Sequence, residues 1–169
     1  ADLNQINSIQ FKSQVVTEIA RMRRSGAGSP LFGFYVGQDR KQVNKQVPQL
    51  GQGGTSLPDR DLYLKSDARS LKIQEAFKTY ISTLFQLIGT SPDQAKSNAE
   101  IIFQLEKKLA EAQMSRLEMR DPYKTYNKLV FSDFIQKTPA FNWALTFQDF
   151  GTNGRFNILT RAAKYPVVS

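Results

Sequence analysis

The chain has 169 residues, enough for one ordinary domain and short for two. Hydrophobic residues make up 40% and aromatic residues 11%, with 12 Phe, which excludes a disordered chain, and the lack of any cysteine excludes a disulfide framework. The formal charge of +8 raises the question of nucleic acid or an acidic partner.

The opening residues Ala1-Asp2-Leu3-Asn4-Gln5 show no basic and apolar targeting pattern, so a targeting segment of an exported protein is expected outside this sequence. Apolar residues at Ile6, Ile9, Val15, Val16, Ile19 and Met22 approximate a 3.6-residue period and predict one amphipathic helix from Ile6 to Met22. Arg21, Arg23 and Arg24 near its end are the chain's tightest basic group, and a solvated helix face accounts for them. Ser25-Gly26-Ala27-Gly28-Ser29-Pro30 stops the helix.

Leu31 to Val36 is short and aromatic-rich, a strand pattern, and Val43 to Leu50 returns as its antiparallel partner. Pro48 has no amide hydrogen, so that second strand is expected at an edge or irregular. Gly51-Gln52-Gly53-Gly54 is a turn with glycines at positive φ; no Lys-Ser/Thr pair follows to make a phosphate cradle.

Asp67 to Gly89 predicts a helix with Leu71, Ala76, Phe77, Tyr80, Ile81, Leu84, Phe85 and Ile88 on one broad face and Gly89 just past its end. Ser91, Pro92 and Gln94 read as N-cap, first-turn proline and capping-box partner of a second helix. That helix carries Ala95, Ala99, Ile102, Leu105, Leu109 and Ala112 and runs to about Leu117. The short link predicts an antiparallel helix pair. Ser132 is placed to cap a short helix through Ile135, and Asn142 one from Trp143 to Phe150, closed by Gly151. The expected fold is mainly α: a helical domain with a long antiparallel helix pair and a small β-hairpin, residues 1–169 forming a single domain. No apolar run reaches the roughly 20 residues that span a bilayer.

Two polar clusters carry the candidate chemistry. In the first, Pro58 stiffens a turn followed by Asp59, Arg60, Asp61 and Tyr63. Two acids around one arginine suit a guanidinium–carboxylate network, since the planar fork holds two acceptors at once. As hard-cation ligands Asp59 and Asp61 lack the calcium-loop spacing and its closing glutamate. In the second, Arg120 and Asp121 stand at a helix exit before Pro122, and Tyr126 and Asn127 can bond backbone groups of the turn that follows. Glu106, beside Leu105 and Leu109, reads first as a solvent-facing acid, with pairing to Arg60 or Arg120 as the alternative. With no histidine and no cysteine, the chain lacks the usual zinc ligands and the commonest general base.

Leu31-Phe32-Gly33-Phe34-Tyr35-Val36-Gly37-Gln38-Asp39, Gly51-Gln52-Gly53-Gly54, and Leu57-Pro58-Asp59-Arg60-Asp61 with Tyr63-Leu64 resemble the neprilysin and endothelin-converting-enzyme family of zinc metallopeptidases. So do Leu105-Glu106 with Leu109-Ala110, Arg120-Asp121-Pro122 with Tyr126-Asn127-Lys128, and Phe141-Asn142-Trp143. The resemblance covers Leu31 to Trp143, is weak in the first helix, and finds no match from Thr152 to Ser169. Leu62 stands where the family usually has a second tyrosine beside Tyr63. The absence of cysteine fits a bacterial member.

The resemblance implies that this segment belongs to the N-terminal, helical capping lobe of a zinc metalloendopeptidase. The lobe limits the active-site cavity to peptides and is not itself catalytic. It also implies that the His-Glu-x-x-His zinc site lies outside the chain. No catalytic, metal or substrate-clamping residue carries over, and no cofactor is expected in this chain, only zinc in the parent enzyme. Asp59, Arg60, Asp61, Tyr63, Glu106, Arg120, Asp121, Tyr126 and Asn127 are carried over as structural motif residues. The implied partners are the catalytic lobe of the same polypeptide and the parent's peptide substrates, in an extracytoplasmic setting. An exposed apolar face, covered by the other lobe, follows from that role. The rival reading is a free-standing basic module for nucleic acid or an acidic partner, against which the scattered charges speak. A carboxylate glycosidase is the other rival, but no acid pair is marked out for it.

Overall fold

The computed structural model describes residues 2–26, 30–139, 141–143, 146–147 and 157–160. In chain order these form α1 (Asp2–Asn7), α2 (Lys12–Arg24), β1 (Phe32–Gln38), β2 (Gln46–Gln52), α3 (Asp61–Leu64), α4 (Ala68–Leu87), α5 (Pro92–Ala112), β3 (Asn127–Val130), α6 (Phe131–Lys137) and β4 (Asn157–Thr160). A 3-10 turn, Glu118–Arg120, follows α5. The fold is mainly α, as expected.

The single first helix is two. The Gln14 carboxamide oxygen accepts from the backbone N–H groups of Gln10 and Phe11, at 2.7 and 2.9 Å, and so starts a new helix there. α1 buries nothing, whereas α2 buries Val16, Ile19 and Ala20. The Ile6 and Ile9 spacing therefore mimicked a continuous stripe without a core to face.

The β1–β2 hairpin is present and antiparallel, in register from Phe32 opposite Gln52 to Gln38 opposite Gln46. It belongs to a four-stranded sheet of order β1-β2-β4-β3. β2 is thus a central strand, contrary to the edge position expected from Pro48. The parallel ladder to β4 begins at Gln49 opposite Leu159, one residue past the proline, so the missing amide falls outside it. Against the sheet packs a core of Phe32, Leu50, Phe131, Phe134, Trp143, Phe147 and Ile158. The Trp143 ring lies 5.0 Å from Phe32, 4.7 Å from Phe134 and 4.4 Å from Phe141 between centroids, all tilted as quadrupolar rings prefer.

α4 is capped by Asp67, whose carboxylate accepts from the N–H groups of Arg69 and Ser70 at 3.1 Å each. It closes with Gly89 at φ +93°, a left-handed position that favours glycine. α5 starts with Pro92 in its first turn, but Ser91 makes no side-chain cap bond and Gln94 bonds Asn98 at 2.9 Å instead, so the capping box is absent. It ends at Ala112, short of Leu117, where Gln52 of β2 takes over the chain end. Its carboxamide accepts from Met114 N–H at 2.8 Å and donates to Met114 C=O at 3.0 Å.

The second core lies between the helices and α3: Tyr63, Phe77, Ile81, Ala99, Phe103 and Ala110. Lys78 reaches Glu100 at 3.4 Å, as the folded-back second helix requires. Only part of the expected α4 face is covered. Of that face Leu71, Tyr80, Leu84 and Ile88 are exposed, as is Leu87 beside them, because α3 and α5 pack on the side of Phe77 and Ile81. α6 begins at Phe131 after Val130, without a Ser132 cap. Trp143, Thr146 and Phe147 are helical, with Thr146 N–H donating to Asn142 C=O at 3.1 Å; the rest of that expected helix, with Gly151, lies outside the described residues.

Candidate functional site

α5 places Glu106 in the same buried stripe as Phe103 and Ala110, three or four residues away along the helix. It is buried, not solvent-facing, and it makes no ion pair with Arg60 or Arg120; both sequence readings of this acid are corrected. Its carboxylate accepts from Ser56 N–H at 2.9 Å, from Ser56 Oγ at 2.7 Å and from the Tyr63 hydroxyl. Tyr63 Oη in turn accepts from Leu57 N–H at 2.7 Å. Burial pushes the Tyr63 phenol well above its ordinary pKa, and the Glu106 bond adds to the shift. The carboxylate is thus satisfied by neutral donors, which fix the Ser56–Pro58 turn onto α5. Gly54 enters that turn at φ +80°, and a Cβ there would stand 2.7 Å from the Leu31 Cα, so the close approach needs glycine.

The acids of the first cluster do not gather around Arg60. Asp59 pairs with Arg116 Nε at 2.8 Å and Asp61 with Lys65 at 2.8 Å. The Lys65 bond lowers the Asp61 carboxyl below the ordinary range. Arg60 Nε is buried without a hydrogen-bond partner. The expected guanidinium–carboxylate network is replaced by two separate pairs that leave Arg60 out. No sequence signal marked Arg116, which lies outside the motifs and far along the chain from Asp59.

The second cluster closes a different joint. Asp121 Oδ1 accepts from the N–H groups of Tyr123 and Lys124, at 2.9 and 3.2 Å, and so caps its own turn. Asn127 Nδ2 donates to Lys124 C=O at 2.9 Å, as expected of a turn residue. Tyr126 departs from expectation: its hydroxyl donates to the Asp39 carboxylate, at 2.9 Å, rather than to backbone. Lys128 Nζ donates to the other Asp39 oxygen at 2.6 Å, and Asp39 is fully buried. The Lys128 bond, with the Lys41 N–H and Tyr126 behind it, holds the Asp39 carboxyl well below the usual carboxylate range. Arg40 Nη1 reaches Thr125 Oγ1 at 3.2 Å and Lys41 lies 4.4 Å over the Tyr126 ring. Asp39 and Lys128 were the functional pair that sequence reasoning missed, although both stand inside the quoted motifs.

Neither clasp presents a nucleophile with a base. Among the described residues no group of three or more His, Cys, Asp or Glu is placed to hold a metal ion, and the chain has no histidine, so its residues do not fit a zinc site. No helix among the described residues is long and apolar enough to cross a membrane. In the basic group of α2, Arg21 is bound to Glu18 at 2.9 and 3.0 Å and to Asp2 at 3.0 Å, and Arg23 lies 5.0 Å over the Phe34 ring.

A family model described as peptidase family M13 matches residues 1–166. The match takes in the first helices and most of the segment after Thr152, where no motif was legible. Endothelin-converting enzyme-like 1 of Rattus norvegicus is 31% identical over 140 residues, 82% of this chain and 17% of the relative. Human endothelin-converting enzyme 1 is 31% identical over 138 residues, 81% and 17% of the two chains. The zinc metalloprotease Zmp1 of Mycobacterium tuberculosis, solved with an inhibitor, superposes with a TM-score of 0.89 at 25% identity, over 98% of this chain and 25% of that one. The chain therefore spans about a sixth of the length of the curated relatives it matches.

Proposed function

The chain belongs to peptidase family M13, and from that membership we propose that it serves as the non-catalytic N-terminal helical part of a zinc metalloendopeptidase, capping the active-site cavity and limiting substrates to peptides. The observation that carries the reading is the superposition on a solved zinc metalloprotease across 98% of this chain but only a quarter of the other. The remainder of such an enzyme would supply the zinc ligands, since no histidine is present here. What this segment contributes is shape. The Glu106–Tyr63–Ser56 clasp locks the turn after β2 onto α5, and the Asp39–Tyr126–Lys128 clasp locks the hairpin end to β3. A wall built this way keeps its form when substrate arrives. The exposed row Tyr80, Leu84 and Leu87 on α4, with Ile88 just past its end, supports a covering surface in the parent polypeptide. By the same reading the parent works on peptides in an extracytoplasmic compartment.

The test compares a short peptide with the same peptide grafted into a folded carrier, both offered to the full-length enzyme. The reading expects cleavage of the peptide alone; equal cleavage of both removes the size-limiting role. Hydrolysis of the peptide by the 169-residue chain with added zinc removes the non-catalytic assignment.

A further inference from the structure

We propose that the cleft between the Pro58–Arg60 turn and the chain after α5 binds a carboxylate carried on a short apolar stem. The cleft has a volume of about 270 Å3, and its walls include Arg60, Arg116, Arg120, Asp59, Met114 and Met119. Arg60 Nε is buried there with no hydrogen-bond partner. The guanidinium of Arg120 likewise has no hydrogen bond or ion pair among the described residues. Arg116 commits Nε to Asp59 at 2.8 Å and Nη2 to Pro58 C=O at 3.3 Å, leaving Nη1. Three guanidinium groups thus face one carboxylate.

The other acids near Arg60 do not satisfy it. Asp61 is held by Lys65 at 2.8 Å, and Glu118 accepts from Ser115 N–H and Oγ at 2.8 Å each; both feel the Arg60 charge without bonding it. A buried donor left unmade is costly, and an oxyanion removes that cost. The planar fork of arginine suits the two oxygens of a carboxylate. Met114 and Met119 give the same cleft polarizable apolar walls for the stem. The Gln52 clip on Met114 holds one wall in place before any ligand arrives. The volume admits a small acid or a single acidic side chain, not a larger ligand. The inference rests on the cleft's own residues and does not depend on the peptidase reading.

Calorimetric titration of the 169-residue chain with glutarate tests it, with acetyl-Ala-Glu-Ala-amide and inorganic phosphate as parallel probes. Glutarate or the peptide should bind, more weakly as sodium chloride is raised. R60M and R120M should each weaken binding roughly tenfold or more, and R69Q, on the exposed surface of α4, should leave it unchanged. Binding of the peptide as tightly as glutarate identifies an acidic side chain of a polypeptide as the source; binding of glutarate alone identifies a small organic acid. Either upholds the site. No binding of either, undiminished binding in R120M, or tighter binding of phosphate overturns it, and R120M decides if R60M does not fold.

Discussion

At the scale of single residues, the buried acids Glu106 and Asp39 show two ways of keeping a carboxylate inside a small domain. Glu106 takes neutral donors from Ser56 in the turn and Tyr63 on α3, whereas Asp39 takes a lysine, a tyrosine and a backbone N–H. Tyr63→Phe removes a donor to a buried charge and an acceptor for Leu57 N–H. It should cost about 1.5–3 kcal/mol in urea denaturation, with little change in the far-ultraviolet spectrum. For Asp39, the folded carboxyl is held below its ordinary value of 3.8. Its contribution is therefore complete above about pH 4 and is lost as the pH falls below it. A thermal midpoint followed from pH 6 to pH 2 should fall less steeply for Asp39→Asn than for the parent chain, from a lower plateau. Equal acid limbs would show that Asp39 titrates alike in both states.

At the scale of elements, the two long helices start with different chemistry, and the cap read from the sequence at Ser91 is the one that is not made. Asp67 makes its cap bonds and a further 2.6 Å bond from Ser70 Oγ, while the Ser91 side chain makes none. Asp67→Ala should cost about 1 kcal/mol, whereas Ser91→Ala should change stability by no more than a few tenths. Paired denaturation curves separate them. The long helices were legible because period, first-turn proline and terminating glycine are local signals. The buried face of α5 was misread at Leu105, which is exposed, and at Glu106, which is buried, because which side is covered depends on α3, a four-residue helix with no period of its own. The Asp59–Arg116 and Asp39–Lys128 pairs were illegible as pairs for a related reason. Each joins positions distant in sequence, and motif spelling gives residue types without their partners.

At the scale of the molecule, there are two cores, one against the sheet and one between the helices, and each clasp ties a turn beside one of them. Because no group of three or more His, Cys, Asp or Glu among the described residues is placed to hold a metal ion, a chelator should leave the thermal midpoint of the 169-residue chain unchanged. A shift on adding EDTA would reveal a bound cation that the fold does not call for. The hairpin was foreseen, but the sheet it joins was not. β3 and β4 are four residues each, and β4 lies parallel to β2, so no turn between them announces the pairing.

That central position of β2 also sets a timetable. Gln49 and Leu50 wait for Leu159 and Thr160, which leave the ribosome only after the hairpin, both long helices and α6. The helix pair, whose contacts are between sequence neighbours, can form while β2 still has one bare edge, and the sheet closes last. In a nascent chain, the strand that ends at the centre of the sheet therefore spends longest exposed to the wrong partner.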